Sequence, residues 1–165
     1  MNDFVTIVEV GPRDGLQNEK QKLSAATKIE LIERLALCGL PVVEAGSFVS
    51  PKWVPQMADT ADVMKGLKTL HGTRYPVLVP NMAGFERAVD AGAKEIAVFT
   101  AASESFSQRN TNCSIAESIK RLDPVINAAK SSGIAVRAYV SCVLGCPYEG
   151  EIKTETVSEV CIRLE

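Results

Sequence analysis

Histidine is nearly absent from this chain: His71 is the only one. A metal or acid–base site built on paired imidazoles is therefore excluded within these residues. An excess of either charge is missing too. Lys and Arg number 18 against 20 Asp and Glu, a net charge of −2. That leaves no electrostatic case for nucleic acid or an anionic membrane as partner. No apolar run is long enough to span a bilayer. The opening residues, Met1-Asn2-Asp3-Phe4, carry no basic or signal-like leader. A disulfide frame is not expected either. Cys38, Cys113, Cys142, Cys146 and Cys161 are an odd number at irregular spacing. They read as reduced thiols of a cytoplasmic protein.

What is present is an ordinary globular composition, 46% hydrophobic and 23% charged, in a length that allows one domain, 1–165. Strand and helix patterns alternate along it. Predicted strands cover 5–10, 41–46, 74–80, 95–100 and 134–142. They are rich in Val, Ile and Ala, as in strands covered on both faces. Ser24 is placed to cap a helix with Ile29, Ile32, Leu35 and Ala36 on one face, ended by Gly39. Asn81 caps a shorter one with Phe85, Ala88 and Val89, ended near Gly92. Ser114 and Glu117 have capping-box spacing for a helix towards Gly133. Pro124 should kink or restart that helix, with Asp123 as a second cap. A last helix starts near Thr154 and still runs at Glu165. Helix, glycine, then strand is the signature of parallel βα units with right-handed crossovers. Five are counted, where a (β/α)8 barrel needs eight in typically about 250 residues. The expected fold is α/β, a partial TIM barrel of about five βα units.

Charges sit at the strand ends, where parallel α/β folds keep their chemistry. Gly11 and Pro12 stop the first strand. Arg13 and Asp14 follow, and Gly15 is expected to let the backbone bend sharply. Asp14 offers a hard oxygen suited to Mg²⁺ or Mn²⁺. Glu44 ends the second strand inside an apolar run, so it must meet a polar cavity or a partner. A structural pair with an interior arginine and a catalytic role are both open. Glu9 and Arg137 are read as members of an interior ion-pair network. Cys142 and Cys146 are four apart with no histidine neighbour, which argues against zinc and for packing. Trp53 is either a loop residue over the site or a packed anchor for the second helix.

The run Glu9-Val10-Gly11-Pro12-Arg13-Asp14-Gly15-Leu16-Gln17-Asn18-Glu19 closely resembles the opening of the hydroxymethylglutaryl-CoA lyase family, within the metal-dependent TIM-barrel lyases and aldolases. Sister synthases carry a Leu-Arg-Asp-Gly-type loop. The preceding Gly-Pro and following Leu-Gln-Asn-Glu point to the lyase branch. Matches continue at Glu44 with Ser47-Phe48-Val49-Ser50-Pro51-Lys52-Trp53-Val54-Pro55-Gln56-Met57, at Asn112-Cys113-Ser114-Ile115, at Tyr139-Val140-Ser141-Cys142, and at Gly145-Cys146-Pro147-Tyr148-Glu149-Gly150.

The resemblance implies retro-Claisen cleavage of 3-hydroxy-3-methylglutaryl-CoA to acetoacetate and acetyl-CoA, in leucine degradation and ketone-body formation. It implies Arg13 and Glu44 as catalytic residues, with Arg13, Gln17 and Ser47 binding substrate. Asp14 would be one ligand of a divalent cation, Mg²⁺ or Mn²⁺. Lys52, Arg109 and Asn110 are candidates for the CoA phosphates or adenine, with solvated surface charge as the other reading. The family completes its site with a His-x-His pair, an Asn and a glycine-rich Cys loop from later strands, none of which is present. His71 precedes the third strand, on the wrong side of the sheet. The chain alone is therefore expected to be inactive, with its remaining metal ligands elsewhere. The expected partners are an acyl-CoA substrate and either a complementing C-terminal half or a homo-oligomer. The alternatives are a non-catalytic half-barrel interaction module and a related acyl-CoA aldolase or synthase.

Overall fold

The computed structural model describes residues 4–68, 70 and 72–164. Two compact units succeed one another, one ending at Ile96 and one starting at Ala97. The first contains β1 (Val8–Glu9), α1 (Ala25–Leu37), β2 (Val42–Val43), β3 (Gly46–Ser47), α2 (Thr60–Gly66), β4 (Val77–Leu78), α3 (Met82–Asp90) and the start of β5 (Glu95–Ala101). Its strand pairings are parallel. Val8 lies opposite Val42 and Glu9 opposite Val43. Gly46 lies opposite Val77 and Ser47 opposite Leu78.

The predicted second strand thus divides in two, because it serves two neighbours. The Glu44 amide donates to Glu9 C=O at 2.8 Å. The flanking amides of Val43 and Ala45 turn the other way, to Arg74 C=O at 3.0 Å and Pro76 C=O at 2.9 Å. The first strand is shorter than the pattern suggests. Its ladder reaches only Val8 and Glu9, while Phe4, Val5 and Ile7 are 92%, 83% and 60% exposed.

Helix α1 starts at Ser24, whose hydroxyl accepts the Thr27 amide at 3.1 Å. Ile32 and Ala36 are buried and Ile29 and Leu35 half-buried, as their spacing predicts. Asn81 caps α3 through the Gly84 amide at 2.9 Å. Phe85 and Ala88 face inward there, but Val89 is 42% exposed and does not belong to the packed face. Helix α2 was not predicted. It is short, and Asp59, which stands where a cap would, gives its carboxylate to Lys28 instead.

The second unit continues β5 and adds α4 (Glu104–Thr111), α5 (Ile115–Ser131), β6 (Ala135–Ser141) and α6 (Thr154–Ile162). Strand β6 neighbours β5. Nearly all of β5 is buried, whereas β6 is exposed or half-exposed throughout, against the expectation of cover on both faces. Helix α4 also escaped prediction, since Ser107 is its one buried residue and no apolar stripe marks it. The capping box of α5 is present as expected. The Ser114 amide and hydroxyl hold the Glu117 carboxyl below the usual carboxylate range. That contribution is present above the unfolded value and is lost as acid protonates the folded carboxyl.

Pro124 does not restart α5, which runs without interruption from Ile115 to Ser131, and Asp123 lies inside the helix, not at a cap. Pro124 and Lys120 are both exposed, so the carbonyl the proline leaves unbonded can turn to water. Helix α6 begins at Thr154 as expected and ends at Ile162; Glu165 lies outside the described residues. Ile115, Ile119 and Val160 pack with Val140 and Leu164, which seats α5 and α6 on β6. Gly39, Gly92 and Gly133, the three helix-ending glycines, all have positive φ.

Exposed Phe4, Val5 and Ile7 beside β1 and the half-covered β6 present unsatisfied apolar surface. Residues 1–165 on their own should therefore associate. Sedimentation velocity across a dilution series is expected to show concentration-dependent species. A monodisperse monomer with one sharp thermal transition would contradict this.

Candidate active site

Beyond β1 the chain makes a single π-helical turn, Gly11–Gly15, with Pro12 inside it. Such turns are rare and are frequently found at functional sites. The amides of Arg13 and Asp14 both donate to Val10 C=O, at 3.1 and 2.7 Å. The Gly11 amide donates to the Glu9 carboxylate at 2.6 Å. A Cβ on Gly11 would lie 2.8 Å from that same oxygen. That oxygen is the tip of a flexible side chain, so a larger residue at 11 would displace the Glu9 carboxylate from the Gly11 amide. Gly15, expected to bend the backbone, has open space around a Cβ and no positive φ, so the turn makes no demand on it. Glu9, expected to join an ion-pair network, uses its carboxylate to cap the Gly11 amide.

Arg13 lies between two carboxylates. Its Nε donates to Glu44 and its Nη1 donates to Asp14 Oδ1 at 2.7 Å. The Glu44 side chain is fully buried, that of Arg13 is 11% exposed and that of Asp14 is 54% exposed. The three therefore grade from the interior to solvent. Gln17 Nε2 donates to Asp14 Oδ1 at 3.1 Å, and Asn18 Nδ2 to the Asp14 carbonyl at 2.9 Å. Arg13, Asp14, Gln17 and Glu44 are thereby brought together. Strand β3, which carries Ser47, lies against the same turn. Ser47 is buried, and its Oγ accepts the Val49 amide at 3.1 Å.

A polar network absent from the sequence reading stands behind this turn. Gln56 is buried in the 3-10 turn Pro55–Met57. Its Oε1 accepts the Leu23 amide at 3.0 Å and its Nε2 donates to Gln21 C=O at 2.9 Å. Lys28, also buried, donates Nζ to Gln56 C=O and to Asp59 Oδ1, the latter at 2.6 Å. The one available signal was a lysine on the apolar face of a helix pattern. Such a charge has to find partners in the interior.

Several other candidates fall on the surface. Trp53 is 84% exposed, so it anchors no helix. Lys52 and Asn110 are exposed, and the Arg109 guanidinium sits over the Tyr148 ring at 4.2 Å. Arg137 is half-buried in β6, Cys146 is buried and Cys142 half-buried. His71 lies outside the described residues. Among the described residues no group of three His, Cys, Asp or Glu could hold a metal.

The HMGL-like family model matches residues 4–165. The mitochondrial hydroxymethylglutaryl-CoA lyase of Bos taurus is 62% identical over 160 residues, 97% of this chain and 49% of that protein. The cytoplasmic 3-hydroxy-3-methylglutaryl-CoA lyase of Danio rerio is 60% identical over 161 residues, 98% and 48%. Among solved structures, hydroxymethylglutaryl-CoA lyase from Pseudomonas aeruginosa superposes with a TM-score of 0.94 at 55% identity, covering 97% of this chain and 53% of that one. An HMG-CoA lyase from Acinetobacter baumannii, in complex with coenzyme A and 3-methylmalate, gives 0.91 at 33% identity, covering 98% and 52%. The chain thus spans about half the length of the curated relatives it matches. Its parallel α/β fold is that of the lyase barrels over part of their length.

Gln56→Ala should leave the Leu23 amide and Gln21 carbonyl without their partner, at a cost of about 2–4 kcal/mol. Urea unfolding measures that cost, and hydrogen exchange should accelerate at Leu23. Unchanged stability and protection would show that the segment is held by other contacts.

Proposed function

The chain belongs to the HMGL-like family, and from that premise we propose that its residues form one part of a hydroxymethylglutaryl-CoA lyase active site. The observation that carries this reading is the Glu44–Arg13–Asp14 arrangement, a fixed cation with a solvent-facing carboxylate beside it. The substrate is 3-hydroxy-3-methylglutaryl-CoA, in keeping with a structural relative that holds coenzyme A. Its C3 hydroxyl loses a proton as the C2–C3 bond breaks. The bonding electrons pass to the acetyl thioester as an enolate, which takes up a proton in place of the one the hydroxyl released, so that acetyl-CoA leaves and acetoacetate remains.

Arg13 then acts as an electrostatic group. A guanidinium is always charged, and Glu44 fixes its orientation from the buried side. Negative charge growing on the thioester oxygen meets a cation that needs no reorganisation. Gln17 and Ser47, beside the same turn, are assigned to substrate contacts.

The donor chemistry of the site fits a hard divalent cation at one corner only. Asp14 supplies a half-exposed carboxylate, and the described residues supply no cluster to complete the sphere. Mg²⁺ or Mn²⁺ held there, with its other ligands outside this chain, would polarise the substrate oxygens. Residues 1–165 are assigned to a single barrel domain that a C-terminal half completes. The named relatives include mitochondrial and cytoplasmic enzymes. The cytoplasm is the compartment proposed, and the irregular, unpaired cysteines support a reducing compartment. No helix among the described residues is long and apolar enough to cross a membrane.

Two outcomes test this reading in a coupled assay for acetoacetate across a metal titration. Residues 1–165 alone should show no turnover, and joining the family's C-terminal half should produce it. In the joined enzyme, Arg13→Gln should lower kcat about 10²–10³-fold with little change in KM. Asp14→Ala should shift metal dependence first, with excess metal restoring part of the rate. Turnover by residues 1–165 alone would overturn the division of the site, and an unchanged kcat in Arg13→Gln would remove Arg13 from the chemistry.

A further inference from the structure

The two carboxylate oxygens of Asp14 have different surroundings. Oδ1 accepts from Arg13 Nη1 at 2.7 Å and from Gln17 Nε2 at 3.1 Å. Oδ2 receives no hydrogen bond among the described residues. A carboxylate oxygen offers about two lone-pair directions, so two donors occupy those of Oδ1. Oδ2 keeps both of its own.

The backbone explains why the second donor is there. After the π-helical turn the chain stays helical through Leu16 and Gln17. Asp14 and Gln17 are three residues apart, which makes them neighbours on one side of such a turn. The Asn18 amide donates to Gly15 C=O at 3.2 Å and the Glu19 amide to Leu16 C=O at 3.0 Å, which closes the segment. Gln17 is half-buried and Asp14 is exposed, so a side chain rooted in the fold reaches out to one that is not. Arg13 alone would leave the carboxylate loose. It gives Asp14 one bond, from Nη1, while its Nε is committed to Glu44. The last torsion of an aspartate is broad, and a single bond lets the carboxylate swing. A donor from a second residue removes that freedom. The Asn18 side chain does not serve, because its Nδ2 donates to the Asp14 carbonyl at 2.9 Å.

We propose that Gln17 is a positioning residue for the cation's carboxylate: by sharing Oδ1 with Arg13 it leaves Oδ2 as the single oxygen that Asp14 gives to a divalent ion. The inference rests on the lyase reading for Asp14 as a cation ligand. Mg²⁺ demands near-octahedral geometry, which one carboxylate oxygen meets more readily than a two-oxygen bite. A bite by both oxygens would also have to displace the two donors on Oδ1. This task is compatible with a substrate contact, since Gln17 uses only Nε2 on Asp14.

Mn²⁺ binding in the absence of substrate tests the proposal, in the chain joined to the family's C-terminal half and with free Mn²⁺ read by electron paramagnetic resonance. Gln17→Met keeps the side chain's length and removes its donor. It should weaken Mn²⁺ binding about 10–100-fold, the range for a lost partner of a metal ligand. Asn18→Ala loosens the same turn at the Asp14 carbonyl and leaves both carboxylate bonds in place, so its Mn²⁺ affinity should stay near that of the unaltered enzyme. Unchanged Mn²⁺ affinity in Gln17→Met would overturn the proposal, and a loss of acyl-CoA affinity alone would leave substrate binding as the only task of Gln17. Equal losses in Gln17→Met and Asn18→Ala would overturn it too, because the turn as a whole would then set the affinity. An unaltered joined enzyme that binds no Mn²⁺ would overturn the lyase reading along with it, which separates the two failures. If a variant fails to fold, a crystal structure of the unaltered enzyme with Mn²⁺ decides. Oδ2 on the metal with Oδ1 still on Gln17 is expected, and both oxygens on the metal would overturn the proposal.

Discussion

A carboxylate without access to solvent sets the terms for the first unit. Glu44 is fully buried, and an unpaired ion there would cost several kcal/mol. Arg13 meets that demand through Nε, and the backbone is arranged to deliver it. The register of β1 on β2 sets Glu9 opposite Val43, and the Glu44 amide bonds Glu9 C=O at 2.8 Å. The π-helical turn then hangs two amides on the Val10 carbonyl, which throws Arg13 back over the end of the second strand. Asp14 follows because it is the next residue. The buried ion fixes the cation, and the cation fixes the exposed carboxylate.

Support for this arrangement spreads outward through neutral and charged hydrogen bonds. Gln56 and Lys28 tie the segment after the turn to the start of α2. Thr60 holds β3 by accepting the Ser47 amide at 3.2 Å and donating to Ser47 C=O at 3.0 Å. A Cβ on Gly46 would lie 2.7 Å from that threonine, so helix and strand approach as closely as glycine permits. The second unit has its own joints. Thr100 and Ser118 link β5 to α5 at 2.5 Å, and Glu104 accepts the Ile115 amide at 3.1 Å. These bonds satisfy buried polar groups, as a packed interior requires; the buried Tyr75 hydroxyl stands without a hydrogen-bond partner among the described residues.

The legible parts of the fold were those with one dominant local cause. Ser24, Asn81 and Ser114 each cap a helix because their side-chain oxygens reach an amide two or three residues on. Strands β5 and β6 follow runs rich in Val, Ile and Ala. Illegible were elements set by tertiary partners. Helix α4 carries no apolar stripe, and α2 has lost its cap to Lys28. The second strand divides because alternate amides face different neighbours. At the site, the clustering of Arg13, Asp14 and Glu44 was readable, since charges after apolar runs have few places to go. The identity of the buried partner of Glu44 was not readable from spacing, and neither was the role of Gln56. A glutamine in a polar loop carries no pattern that says it will be enclosed.

The dependence of the site on one buried pair can be measured by a double-mutant cycle in urea unfolding. Arg13→Met and Glu44→Leu are made singly and together. Arg13→Met takes from buried Glu44 the guanidinium that pairs with it, whereas Glu44→Leu leaves Arg13 its pair with Asp14, and the two changes should couple by about 3 kcal/mol, with the double variant more stable than Arg13→Met alone. Strictly additive costs would contradict the account, because they would mean that the stability of buried Glu44 does not depend on the Arg13 guanidinium.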